Sequence, residues 1–158
     1  MNIIDLSNDG GVDMAQFQAY NKLLISAAEG IANHKAGDAV LGYEFYCQYP
    51  SYRGTYLSCI EEMHVYVDGE MVHDDKIYFH INGKQCLLSQ LKDLYLEYWF
   101  ILDKAKLLVL KDGGLEPGEH EVRVTMRHRI PYTGYFGNYL VLDGSDTKIL
   151  TLCEEEAE

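Results

Sequence analysis

From about residue 39 onward, apolar and polar positions alternate with a period of two, the spacing of strands that bury one face. In YEFYCQY, Tyr43, Phe45, Cys47 and Tyr49 fall on one side and Glu44, Tyr46 and Gln48 on the other. In MHVYVDGE the apolar side is Met63, Val65 and Val67, closed by Asp68-Gly69. In IYFHINGKQCLL it is Ile77, Phe79 and Ile81, closed by Asn82-Gly83. Asx-Gly pairs accept the positive φ that tight hairpins require, so both predict turns between antiparallel strands. KAKLLVLKDGG predicts a further strand. LEPGEHEVRVTMRHRI predicts the strongest one, entered through Pro117-Gly118 with Val122, Val124 and Met126 opposite Arg123, Thr125 and Arg127. NYLVLDGSDTKILTL predicts a closing hairpin around Asp143-Gly144. One stretch, SQLKDLY, breaks the alternation and predicts a short crossover helix with Ser89 as its N-cap.

The pattern predicts an all-β fold: an antiparallel β-sandwich with one short crossover helix. Its single domain is expected over residues 21–153, after an N-terminal arm or short helix over residues 1–20 and before an acidic tail, residues 154–158. At 158 residues one substantial core is expected, hiding roughly 70% of the surface of the unfolded chain.

Charge narrows the choice of partners. Twenty-five acidic residues against thirteen basic give a net charge of -12, which argues against nucleic acid or an anionic membrane, since both demand a positive footprint. No run reaches the roughly 18 apolar residues of a membrane helix, and the N-terminus lacks the order of a signal peptide, so a cytoplasmic location is expected. Cys47, Cys59, Cys86 and Cys153 show no CxxC spacing and are expected as thiols, three of them where a strand would bury them.

The candidates for chemistry are weak. His73-Asp74-Asp75 cannot converge on one ion from an extended chain and reads as a polar turn. His64 and His80 lie on separate strands without an HxH pair, so no metal ligand and no cofactor of this chain's own is expected. No GxSxG, phosphate loop or Cys-His pairing occurs, and no catalytic residue is predicted. His128 shares the parity of Val122, Val124, Met126 and Ile130, as expected of a hydrogen-bonded core histidine. Arg123, Arg127 and Arg129 on the other side are expected to pair across strands with acids such as Glu44 or Glu62, the competing use being a docking face for an acidic partner or a polar ligand.

The chain's bias is aromatic, with thirteen tyrosines. Two loops broken by proline and glycine gather large rings: YPSYRGTYLS, with Tyr49, Tyr52, Arg53 and Tyr56, and IPYTGYFGNY, with Tyr132, Tyr135 and Phe136. Rings at sheet ends either cap the core or meet a partner or substrate, and Tyr with Arg is the composition of interface anchors. These seven residues are the candidate contact site.

Four segments together resemble a known family. GYEFYCQYPSYRGTYLSCIEEMHVYVDGE at 42–70, IYFHINGK at 77–84, YWFILDKAKL at 98–107 and GGLEPGEHEVRVTMRHRIPY at 113–132 look like the small β subunit of bacterial C-glycoside deglycosidases. The matching positions include Tyr52, Arg53, Gly54, Asp68, Gly69, Trp99, Pro117, Gly118 and His120. The resemblance implies a β-sandwich subunit of a heteromeric carbon–carbon lyase that acts on 3-oxo C-glucosides of flavonoid-type aglycones. It further implies a partner, a TIM-barrel α subunit similar to sugar isomerases and epimerases, which carries the catalytic residues and a divalent metal, Mn or Mg. Two rival readings follow from the residues alone: a free-standing carbohydrate-binding sandwich using tyrosines as sugar platforms, and a small independent metal enzyme.

Overall fold

Alternation becomes strands almost wherever it occurs. The computed structural model describes residues 2–5, 20–130 and 138–153. In chain order the strands are β1 (Asn2–Asp5), β2 (Ile31–Ala36), β3 (Ala39–Gln48), β4 (Thr55–Tyr56), β5 (Ile60–Val67), β6 (Glu70–Met71) and β7 (Ile77–Ile81). They continue with β8 (Lys84–Leu87), β9 (Tyr98–Trp99), β10 (Lys104–Leu110), β11 (Gly118–Ile130), β12 (Asn138–Asp143) and β13 (Asp146–Leu152). Helical structure among the described residues is confined to short 3₁₀ turns, so the expected all-β class is the one observed.

The thirteen-residue strand β11 is the spine. One edge pairs antiparallel with β5, and β5 continues through a hairpin into β6. The other edge pairs with β12 near one end and with β13 along the rest. β13 then touches β2, and the order continues β2-β3-β10-β7-β8. The two expected layers are therefore parts of one curled sheet. Met63, Val65 and Val67 of β5 and Val122, Val124 and Met126 of β11 share a core with Tyr43, Phe45 and Cys47 of β3, Leu107 of β10 and Phe79 of β7. All but Leu107, whose face was not assigned, have the parity read from the sequence, because a one-residue slip would turn the whole apolar set to water.

The two Asx-Gly turns expected at the ends of β5 and β7 form as hairpins, with φ of 52° at Asp68, 84° at Gly69, 54° at Asn82 and 73° at Gly83. The third does not. β12 and β13 run end to end along the same edge of β11, so Asp143-Gly144 is a break in one line of pairing and no hairpin forms there. The Gly144 N–H donates to the Met126 carbonyl at 2.8 Å, and the Met126 N–H donates to Ser145 Oγ at 3.1 Å. These bonds carry the ladder across the break. The glycine is required for close approach: a Cβ there would stand 2.8 Å from Pro50 and 3.2 Å from the His128 ring.

The expected crossover helix is also corrected. Leu88–Asp93 is a 3₁₀ segment preceded by Leu87, whose N–H donates to the Gln90 side chain at 2.8 Å, and Ser89 is not the cap. Leu88 and Leu91 are buried in the core, and the segment lies beside β5. Six residues with two buried leucines three apart suit the threefold repeat of a 3₁₀ turn. The arm expected over residues 1–20 contains a strand, β1, which pairs in parallel with β12. The acidic tail lies outside the described residues.

Candidate subunit interface

The loop YPSYRGTY leaves β3 and returns through β4, which pairs with β9 as a separate two-stranded ribbon: Thr55 opposite Trp99, Tyr56 opposite Tyr98. Gly54 makes this possible. A Cβ on it would collide with the Trp99 carbonyl oxygen and stand 2.8 Å from the Tyr98 ring. Trp99 is buried, donates its indole N–H to the Asp103 carbonyl at 2.9 Å, and meets Tyr49 and Phe79 with ring centres 5.6 Å and 5.3 Å away. The YRG segment and the tryptophan segment, separate in sequence, are one packing unit.

The candidate contact residues divide by burial. Tyr49 is enclosed: its hydroxyl and Nδ1 of His128 share a 2.6 Å hydrogen bond, with the two rings edge to face at 5.2 Å. Its work is internal, as its place in the alternating row with Phe45 indicates. Burial lowers the His128 pKa to about 4, so the ring is neutral near pH 7, the hydrogen-bonded core histidine expected. Tyr52, Arg53 and Tyr56 are exposed. Tyr132, Tyr135 and Phe136 lie outside the described residues.

Beyond Tyr56 the structure adds residues that the sequence reading did not single out. Tyr56 meets Tyr98 edge-on at 5.1 Å, and Tyr98 meets Phe100 at 4.8 Å. Tyr52, Tyr56, Tyr95, Leu96, Phe100 and Leu102 are between 46% and 79% exposed. The available signal was the apolar run LYLEYWFIL, which fits neither strand nor helix period over its length and so has no face to bury.

The basic row on β11 is used within the chain. Arg129 donates to Glu61 at 2.8 Å, and the Arg123 guanidinium sits 5.3 Å from the centre of the Tyr66 ring. Arg127 stands opposite Glu62 in register, while Glu44 instead meets His34 at 3.2 Å and Lys106 at 3.6 Å. A bulge between Arg127 and His128 makes Glu61 the extra residue of β5 and brings it to Arg129.

Two further matching segments converge elsewhere. Asp68 in the β5–β6 turn meets His120 near the start of β11 at 2.6 Å. That hydrogen bond is the largest cause raising the His120 pKa and lowering that of Asp68. His73 and Asp75 are 2.8 Å apart and exposed, and His64 is 4.0 Å from Asp74. Among the described residues no group of three or more His, Cys, Asp or Glu could hold a metal ion. No helix among them is long and apolar enough to cross a membrane.

Comparison with known proteins places this geometry. A family model described as C-glycoside deglycosidase beta subunit matches residues 20–132. A C-glycoside deglycosidase beta subunit from Eubacterium cellulosolvens is 29% identical over 118 residues, 74% of this chain and 78% of the relative. A 3'-dehydrocarminate deglycosidase beta subunit from a Microbacterium species is 33% identical over 113 residues, 72% of this chain and 85% of the relative. A C-glycoside deglycosidase beta subunit from Arthrobacter globiformis is 32% identical over 110 residues, covering 67% and 81%.

Proposed function

Because the chain belongs to the C-glycoside deglycosidase β-subunit family, we propose that it is the non-catalytic β subunit of a heteromeric, cytoplasmic carbon–carbon lyase acting on 3-oxo C-glucosides of flavonoid-type aglycones. The observation that carries the reading is the family match itself, which spans most of the described sheet and both pairs of converging segments, Gly54 with Trp99 and Asp68 with His120. One relative has a 3'-dehydro substrate in its name, the oxidation state that the reaction needs.

In this reading the ketone acidifies the C–H bond of the neighbouring sugar carbon. A base on the partner takes that proton, the electron pair becomes a carbon–carbon double bond in the sugar, and the aglycone departs with the pair of the severed bond and gains a proton. The partner is a TIM-barrel α subunit. It supplies the acid–base groups and holds the divalent metal, Mn or Mg, as the family resemblance implies. This chain contributes a rigid β body with an aromatic end. Tyr52, Arg53 and Tyr56 contact the partner or the substrate's surroundings, Tyr49 supports that segment from within, and Tyr132, Tyr135 and Phe136 are assigned the same contact role on composition alone.

A carbohydrate-binding module would need rings lying flat as a shared platform. Tyr56, Tyr98 and Phe100 instead stand at 81° and 66° to one another, which favours the subunit reading. The test is reconstitution. Cleavage of a 3-oxo C-glucoside should require both subunits, and the isolated chain should show neither turnover nor saturable binding of flavonoid glycosides. Turnover by the chain alone would overturn the reading.

A further inference from the structure

The loop 94–103 is apolar on the outside and tied down on the inside. Its backbone accepts bonds from four directions: Leu57 N–H to the Glu97 carbonyl at 2.9 Å, Asn82 Nδ2 to the Tyr98 carbonyl at 2.8 Å, Gln48 Nε2 to the Ile101 carbonyl at 3.0 Å, and the Trp99 indole to the Asp103 carbonyl at 2.9 Å. Lys84 pairs with Glu97 at its outer edge, and Trp99 plugs its base into the core. A loop fixed this way cannot fold Tyr95, Leu96, Phe100 and Leu102 inward, so they stay in water at a standing hydrophobic cost.

We infer that this loop, with Tyr56 beside it, is the principal docking surface for the catalytic partner subunit, and that the YRG segment acts as its support. The inference rests on the subunit reading above and deepens it. Three considerations select the occupant. With aromatic side chains of roughly 150–250 Å² each and leucines somewhat smaller, the five exposed ones offer on the order of 600 Å², most of the ~800 Å² that each partner contributes to a stable interface. The surface is already ordered by its own backbone bonds, so little side-chain or loop freedom remains to be lost on association. A second copy of this chain would bring another body of net charge -12 against the same face. A different subunit, apolar in the centre of its footprint, avoids that repulsion and meets at the loop's ends the mixed charges Lys92 with Asp93 and Asp103 with Lys104, all exposed.

The test uses a double variant, Leu96→Glu with Leu102→Glu, and the control Ile149→Glu. Ile149 is exposed on β13, outside this surface. Both target residues already face water, so circular dichroism should show an unchanged fold. Each form is produced together with the partner subunit and assessed by co-elution and by titration of the purified subunits. Expected is a stable wild-type complex, affinity roughly a hundredfold weaker in the double variant, and a control that binds like the wild type. If the complex forms and the double variant holds it as tightly as the wild type, the docking surface is wrong while the subunit reading stands. If the wild-type chain forms no complex, both fail. If the chain alone makes a homodimer that the double variant dissolves, the surface belongs to a second copy and the inference is overturned.

Discussion

His120 donates both of its ring N–H groups, Nδ1 to the Asp68 carboxylate at 2.6 Å and Nε2 to the Glu116 carbonyl at 2.7 Å. Only the imidazolium can do this, and Asp68 is held from its other side by the Glu121 N–H at 2.9 Å. The bond ties the β5–β6 turn to the start of the spine strand. His120 has its pKa raised from 6.5, so its contribution to stability is complete below that value and is lost as pH rises through the folded-state pKa. Asp68 has its pKa lowered from 3.8, so its contribution is present above that value and is lost as pH falls through the folded-state pKa. Between the two the link is fully formed. Thermal melts of wild type and His120→Gln should therefore differ most between pH 3.8 and 6.5 and less at a pH above the folded-state pKa of His120. An equal difference in both ranges would show that the charge is irrelevant.

His128 works in the opposite direction. Its folded-state pKa of about 4, against 6.5 when exposed, means that below pH 6.5 the unfolded chain takes up a proton the native core refuses. Stability contributed by the neutral ring is whole above 6.5 and declines until about pH 4, by on the order of 3 kcal/mol in total. Urea midpoints measured across this range should fall for the wild type and fall less for His128→Leu.

Tyr49→Phe removes one member of the buried pair and strands the imidazole nitrogen. The expected loss is about 1–3 kcal/mol at neutral pH, seen as a lower urea midpoint with unchanged slope. A neutral result would mean that water replaces the hydroxyl.

Gly54→Ala forces a methyl group against the Trp99 carbonyl and the Tyr98 ring. Relief requires the β4–β9 ribbon to move, at a cost of about 1–3 kcal/mol, and Trp99, the single tryptophan, reports it directly through its fluorescence. An unchanged emission spectrum together with an unchanged melting temperature would contradict the close packing.

The four thiols should react in order of access. Cys153 is exposed, Cys86 is half-buried with its pKa raised by desolvation, and Cys47 and Cys59 are buried, with burial pushing the Cys47 thiol up further. A colorimetric disulfide reagent should label Cys153 within the mixing time and Cys86 more slowly. Cys47 and Cys59 should react only when the chain unfolds.

Alternation made the core legible because a strand has only two faces: Tyr43, Phe45, Val65, Phe79 and Val124 are all buried on the side their parity assigned. The turns were legible where an Asx-Gly pair could adopt positive φ at both residues, at 68–69 and 82–83. At 143–144 the same dipeptide serves a break whose purpose, clearance for Pro50 and His128, depends on residues distant in sequence. The candidate site was half legible. Tyr52 and Tyr56 lie at the exposed end as composition indicated, whereas Tyr49 obeyed its parity with Phe45. Leu96, Phe100 and Leu102 escaped notice because a local apolar run normally signals burial, and only the long-range bonds from Gln48, Leu57 and Asn82 hold it outward.

The junction of β13 with β2 rests on one registered pair, Leu152 opposite Ile31, beside a groove of about 480 Å³. Every other neighbouring pair along that path is longer. The body is thus built like a book with a slender hinge, and native-state deuterium uptake should enter first along the margins of β2 and the end of β13. The pages on either side stay closed on the core that β5 and β11 share with β3, β10 and β7, so early opening is confined to that margin.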